Sequence, residues 1–498
     1  MSAQTENFDA EYDIVVIGGG GSGKSAALAA AQAGLGVALL EKQPQTGGSS
    51  VFAEGQAAFE SSEQKARADT GGPFPTREQA YRRYLEYSHY RANPEVVRMF
   101  VDNSAETIDQ LRSLGVEYNL VGIYALDQPD ELASFHRPEG LGARCQELLA
   151  GAIATAGVDV FTSTRVEGLV TDGGAVVGVT ARDSDGNSLR VGAKAVIIAT
   201  GGFVDNPAMI ERYAQVGRNA RHISPLAPLA NTGDGINMAL AIGADTDNIG
   251  VVQAGPGVRG KAPTSQSAAA GMHPWLWVNH TGRRFTSEDE GLSVANLGTV
   301  FARQPGADSF AIIDSDMVDH LVQDGSDVAL GDFVPYHGKM THLVDELEAD
   351  VEAGIAWKAE TIEGLAVAAG FDPAVLAATV GRYNAACADG YDPEFFKPVK
   401  YLRPVRRPPF YIVNQSAHAT CTCTGLRVSG RLEVLDADWK PIPGLYAVGN
   451  DASGLYGDTY TLDVPGSTNG FAHTSGRVAA RHAVAAIQGA QNERRAPA

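Results

Sequence analysis

The sequence predicts an α/β protein in which a parallel-sheet domain is interrupted by an inserted α+β domain. Three observations carry this. An apolar run, Ile14 to Ile17, leads into a glycine-rich turn and an alanine-rich stretch. A second apolar run, "AVIIATGG", ends on glycines near residue 200, and a third, "GLYAVGN", lies close to the C-terminus. Between the last two the composition shifts: Trp275, Trp277 and Trp357 gather there and charged helical patterns dominate. The expected division is 1–250, the first part of the split domain; 251–399, the insertion; and 400–498, the second part.

The first unit reads strand, turn, helix, strand. Ile14 to Ile17 suits a buried parallel strand. Gly18, Gly20 and Gly23 form G-x-G-x-x-G, and an alanine-rich helix follows to Gln32, stopped by Gly34. "GVALLE" is a second strand ending in Glu41, 23 residues beyond Gly18. Glycines there permit a tight turn and close approach of backbone to a pyrophosphate seated on the helix N-terminus, and an acid at that spacing accepts from an adenosine ribose hydroxyl. The unit is Rossmann-like and binds a dinucleotide. Lys24–Ser25 does not make a phosphate loop of the G-x-x-x-x-G-K type, because the spacing is not met. FAD and NAD share the fingerprint; the small residues Gly47, Gly48, Ser49 and Ser50 would let backbone and hydroxyls approach a flavin.

Further on, a helix is expected from Pro94 to Gly115, and "LGARCQELLAGAIATAGVDV" as helix into strand. Alternating strands follow, with "DSDGNS" a hairpin turn. "NTGDGINMALAIGA" sets Asp234 between two glycines at a helix start. In the insertion Asp372 caps a helix that has Pro373 at its first position. A last helix is expected from about Thr474 to Ile487, after the loop "GDTYTLDVPGSTNG".

Bulk properties limit the function classes. Net charge is −20, which argues against nucleic acid or an anionic membrane as a partner. No apolar run reaches the roughly 18 residues that span a bilayer, and the N-terminus lacks signal-peptide regions, so the expected location is cytoplasmic. Of four cysteines only Cys421 and Cys423 are close, and no second pair completes a zinc or iron–sulfur set, so no metal is expected. Cys421 and Cys423 could form a redox pair, but cysteines two apart bridge poorly, which favours two small loop residues.

Several spaced motifs together resemble the flavoprotein superfamily of soluble fumarate reductases and 3-ketosteroid dehydrogenases: "VVIGGGGSG", "EKQPQTGGSS", "HRPEG", "ATGGF", "NTGDGINMALAIGA", "VNHTGRRFTSE", "ETIEGLAVAAGFDPAVLAATVGRYN" and "PIPGLYAVGN". They run in family order along nearly the whole chain. The resemblance implies an FAD domain split by a capping domain, with substrate between the cap and the isoalloxazine ring. It implies FAD contacts from Gly18, Gly20, Ser22, Gly23, Glu41, Lys42, Gly48, Ser49, Ser50, Val166, Thr200, Gly201, Asp234, Gly449, Asn450, Ser467 and Thr468. Residues 43–58 hold no histidine, so the FAD is expected to be non-covalent.

The implied chemistry is hydride transfer between flavin N5 and a C–C/C=C pair beside a carbonyl, with a proton exchanged at the other carbon. Fumarate reductases clamp carboxylates with histidine and arginine. Here "QAGPG", Gln253 to Gly257, stands for their "Q-x-H-P"; Tyr456 replaces a histidine; and no arginine occurs between 432 and 476. The C-terminal loop is closer to that of the 3-ketosteroid dehydrogenases, with two extra residues between Tyr460 and Gly466. By that likeness Tyr460 and the Gly466 N–H hold the substrate oxygen; Tyr456 and Tyr124 are the residues here that could supply or take a proton. The base tyrosine of those dehydrogenases is absent, its position being Leu292. His473 would line the flavin, and Arg284 and Glu288 would pair to hold the cap.

The reading is an FAD-dependent oxidoreductase, enone reductase or dehydrogenase, for a neutral, apolar, ketosteroid-like or cyclic-enone substrate, with an external electron donor or acceptor. Its rivals are a carboxylate reductase drawing on Arg259, Arg283 or Arg303, and an electron relay without small-molecule turnover.

Overall fold

In a computed structural model, the described residues are 8–69, 71, 74–121, 134–216, 223–225, 229–258, 261, 265–292, 294–328, 337–461 and 463–495. The nucleotide-type sheet is built around the strand Ala10–Ile17, which pairs in parallel with Val37–Leu40 on one side and Ser188–Ile198 on the other. Asp159–Phe161 extends the first side and Pro441–Ala447 the second, so residues from both ends of the chain share one sheet. Ile14 to Ile17 and Val37 to Leu40 are buried throughout, the pattern of strands covered on both faces. The hairpin Arg165–Asp172 and Ala175–Arg182 hangs from Ser188–Ile198. Its "DSDGNS" turn is held by Asp183, whose Oδ1 accepts from the N–H groups of Asp185 and Asn187.

A second sheet centres on the 13-residue strand Phe410–Thr422. Ala356–Ala359, Asp308–Ile313 and Val252–Gly257 pair with it in turn along its length, all antiparallel. This sheet draws on residues either side of the 251–399 block. It has its own apolar core, with Trp275, Phe310, Ile312, Leu376 and Tyr383, separate from the core under the nucleotide sheet. Asp372 caps the helix Pro373–Asp389 as expected, accepting from Ala374 and Val375.

One element differs from expectation. The last helix runs Ser467–Arg495, so it begins inside the stretch read as a loop. Its glycines are spacers for close packing rather than turn residues. A Cβ on Gly470 would stand 2.4 Å from the Ala57 carbonyl oxygen, and one on Gly476 would stand 2.1 Å from that of Ser22. The helix therefore lies backbone-to-backbone against Gln56–Ala57 and against Gly21–Gln32. Tertiary contact supplies the stability that the local Ser-Thr-Asn-Gly composition lacks. Among the described residues no helix is long and apolar enough to cross a membrane.

Candidate active site

The first half of the site is a glycine cradle. The helix Gly21–Gln32 starts from Gly20 with no side-chain cap and no acid in its first turn, so no side chain offsets the positive end of its dipole. Gly18 and Gly23 are glycines for packing: a Cβ on Gly23 would lie 1.9 Å from the Gly18 carbonyl oxygen. Gly20 is different. Its φ of −76° suits any residue, and a Cβ there would meet nothing nearer than Gly47 O and Gly48 Cα at 3.9 Å. A Cβ there would make ordinary contacts without a clash, so the protein's own packing does not require this glycine, whereas close approach of a pyrophosphate to the helix start would. Gly20→Val is expected to leave a folded protein with an unchanged apoprotein melting temperature. Its FAD content after purification, read from the flavin-to-protein absorbance ratio, should drop at least about tenfold.

Glu41 stands just past its strand, accepting from Gly19 N–H at 2.7 Å and Gln43 N–H at 2.8 Å. Those bonds set the carboxylate beside the glycine turn while leaving acceptor capacity on each oxygen. Gly48, Ser49 and Ser50 lie in the short helix Gly48–Phe52 opposite the cradle. Lys42 Nζ spans to Thr232 Oγ1 (2.7 Å) and Asp234 Oδ2 (2.8 Å), and Arg165 holds the other Asp234 oxygen at 3.1 Å. Burial would raise the Asp234 carboxyl, but Lys42 and Arg165 outweigh it and hold it below its ordinary value. Val166 is buried beside Arg165 on the hairpin.

Sequence reasoning missed Asp451. It is fully buried, and its carboxylate gathers Thr200 Oγ1 and the N–H groups of Gly201 and Gly202 at 2.9, 2.9 and 3.2 Å. Burial pushes its carboxyl up in spite of these donors. It thus joins the end of the strand Ser188–Ile198 to the turn Gly449–Asp451, which presents Gly449 and Asn450. The available signal was an acid directly after "AVGN". Also missed was Ser25 Oγ with His473 Nδ1, 2.8 Å apart and buried; His473 Nε2 has no partner and lies near Gly21.

The second half of the site is the loop before the last helix. Tyr456 and Tyr460 stack with ring centroids 5.4 Å apart at 32°. Both are buried. Tyr456 donates to Thr468 Oγ1 and Thr468 to Gln253 Oε1, each at 3.5 Å. Gln253 sits at a bulge in the strand Val252–Gly257, directly opposite Cys421, where a bulge can re-aim a side chain. Ser467 is anchored by Tyr84, whose hydroxyl lies 2.5 Å from its Oγ. Gly466, with φ +76°, packs against Phe135 and Ala57 and accepts from Ala57 N–H at 3.0 Å. The hydroxyls of Tyr456 and Tyr460 are both pushed well above the ordinary phenol value, by burial first. Tyr124 lies outside the described residues.

Cations do reach this loop, from elsewhere in the chain, and the loop's own acids meet them. Arg83 pairs with Asp463, and Arg91 with Asp458 at 3.3 Å. Arg283 and Arg303 are exposed, and Arg259 lies outside the described residues. Against the reading of both cysteines as loop residues, Cys421 is the penultimate residue of the strand Phe410–Thr422, and only Cys423 lies past its end.

The profile of the FAD binding domain family matches residues 13–463. The chain is 37% identical over 488 residues to a vinyl phenol reductase of Lactiplantibacillus plantarum, covering 95% of this chain and 96% of the relative. The fold superimposes on an open flavocytochrome c3 fumarate reductase with a TM-score of 0.74 at 26% identity, covering 96% and 79% of the two chains. It also superimposes on the 3-ketosteroid delta1-dehydrogenase of Sterolibacterium denitrificans with a TM-score of 0.78 at 21% identity, covering 96% and 100%.

Proposed function

The chain belongs to the FAD binding domain family, and from that premise we propose that it reduces a neutral alkene conjugated to an oxygen, a hydroxystyrene first among them. It is an FAD-dependent oxidoreductase acting on C=C bonds. FAD, held without a covalent bond by the cradle, Glu41, Thr200, Asp234, Asn450 and the start of the last helix, supplies the hydride.

The observation that carries the substrate class is the tyrosine pair in a loop whose acids already engage the nearby arginines. A dicarboxylate needs unsatisfied cations; Arg83 and Arg91 face Asp463 and Asp458 instead. A neutral substrate needs an apolar wall and hydroxyl groups, which Tyr456 and Tyr460 provide together. A vinyl group on a phenol, the substrate named for the Lactiplantibacillus relative, fits that chemistry. Its phenol oxygen is conjugated through the arene to the terminal carbon, so a proton added there draws electrons from the oxygen and hydride added at the benzylic carbon returns them to it. In this reading Tyr460, with the Gly466 N–H, holds the oxygen, and Tyr456 delivers the proton to carbon. The substrate lies between this loop and the block 251–399, the proposed cap, whose first strand brings Gln253.

The test is anaerobic reoxidation of the dithionite-reduced protein, followed by flavin absorbance. 4-Vinylphenol and cyclic enones are expected to reoxidise it within seconds and fumarate not to. Fast reoxidation by fumarate alone would overturn the neutral-substrate reading. Because burial raises both phenols, each keeps its proton through neutral and alkaline pH. The single-turnover rate should therefore not decline through a tyrosine ionisation below about pH 10. An alkaline limb at lower pH that Tyr456→Phe abolishes would contradict this.

A further inference from the structure

Cys421 and Cys423 are both buried, with their sulfurs 3.7 Å apart. The two-residue repeat of an extended chain puts them on one side and Thr422 on the other, where its hydroxyl accepts from Phe203 N–H at 3.0 Å. Cys423 is fixed by its own N–H on the Val251 carbonyl, 2.8 Å away. Cys421 Sγ also donates to Gln253 Oε1 at 3.5 Å. The pair thus ends the chain Tyr456–Thr468–Gln253–Cys421, and neither proton delivery nor FAD binding uses it. Cys145 and Cys387 lie elsewhere, the first beside Gln56 and Tyr118, the second in the helix Pro373–Asp389.

We propose that Cys421 and Cys423 form a redox-active dithiol that peroxides close to a disulfide, detuning the substrate end of the site. The Cys421 thiolate attacks the O–O bond of hydrogen peroxide, which breaks and releases water, leaving a sulfenic acid. Cys423 sulfur then displaces the sulfenic oxygen as a second water and forms the S–S bond. Two thiols lose two electrons and two hydrogens, and one peroxide becomes two waters. The hydrogen bond from Cys423 holds the Cys421 thiol below its ordinary value, and the same pairing with burial pushes Cys423 up, so Cys421 is the attacking sulfur.

Closure brings the sulfurs to about 2 Å and removes the S–H that fixes Gln253 Oε1. The Gln253 amide, and through it Thr468 and Tyr456, loses its anchor. This consequence rests on the proposed substrate site; the thiol chemistry does not.

The FAD-loaded protein is treated with hydrogen peroxide, quenched with catalase, denatured and alkylated with N-ethylmaleimide, then analysed by peptide mass. Two of the four cysteines are expected to escape alkylation, with the 421–423 peptide lighter by two hydrogens and Cys145 and Cys387 alkylated as before. Dithiothreitol should return all four. Alkene turnover should fall at least tenfold on oxidation and recover with dithiothreitol, and Cys421→Ser, which lacks the attacking sulfur and keeps a hydroxyl donor toward Gln253, should lose no turnover through the same treatment. Four alkylated cysteines after peroxide, or oxygen adducts on Cys421 without the two-hydrogen loss, would overturn the dithiol. A disulfide with unchanged turnover would overturn the detuning. A disulfide in a protein that reduces no alkene would support the dithiol and overturn the substrate reading alone.

Discussion

Tyr460→Phe is expected to slow reoxidation of the reduced protein by its alkene about 10²–10³-fold, the usual cost of losing one donor aimed at developing charge. The change removes only an oxygen atom. The ring stays stacked on Tyr456 at 5.4 Å, so packing and FAD content should hold, and the melting temperature should move by no more than a degree or two. The loss should fall on the rate at saturation rather than on substrate affinity, because the hydrogen bond strengthens as charge reaches the substrate oxygen. A tyrosine that merely walls the site would leave the saturating rate within a few-fold. Tyr456→Phe should give a loss of similar size with a different signature: the solvent isotope effect on the single turnover grows, since proton delivery then limits. If the two hydroxyls serve one event, the double variant loses far less than the product of the single losses.

The two halves of this site were unequally legible in the sequence. The cradle was readable because its physics is local: Gly18, Gly20 and Gly23 sit within one turn, between a buried strand and a helix, and Glu41 follows at the end of the next strand. Asp451 was not, because its partners Thr200, Gly201 and Gly202 lie about 250 residues away and meet it only through the parallel pairing of Pro441–Ala447 with Ser188–Ile198. The start of the last helix was hidden for a related reason. "STNG" has the composition of a turn, and only the close backbone approach to Gln56–Ala57 makes a helix of it. Arg83 and Arg91 were invisible for the same cause: they come from the helix Arg77–Tyr87 and the segment after it, more than 350 residues before the loop they meet. The loop itself holds no arginine between 432 and 476, and the two arginines that reach it from elsewhere are paired with its Asp463 and Asp458.

Arg284→Met is expected to cost about 3–5 kcal/mol, the price of leaving buried carboxylates without their cation. The guanidinium is 1% exposed and its partners Glu288 and Asp392 not at all. It makes fork-like pairs with both, at 2.7 Å to each Glu288 oxygen and at 2.9 and 2.8 Å to those of Asp392. Tyr383 and Phe395 flank it, with its central carbon 5.2 and 5.0 Å from their ring centroids. Lys397, also buried, lies 3.3 Å from Glu288, so two cations face two fully buried carboxylates, with the partly exposed Glu394 3.6 Å from Arg284. Methionine fills the volume and removes one cation, and Lys397 cannot reach both acids. Arg284→Lys should fail nearly as badly, because an ammonium cannot make two forks. The pH dependence fixes the cause. Burial would raise the Asp392 carboxyl, but Arg284 outweighs it and holds it below its ordinary value. Its contribution to stability is therefore present above the unfolded-state carboxylate range and is lost as pH falls through the depressed folded value. In the methionine variant the uncompensated burial raises that carboxyl instead, so protonation relieves the charge early. The deficit, measured by urea unfolding of the FAD-loaded protein, should be largest near neutral pH and narrow as pH falls toward about 4. Arg284→Met with Asp392→Asn should recover part of it. A deficit below about 1 kcal/mol, or one that does not change with pH, would mean that the cluster behaves as a solvated surface pair.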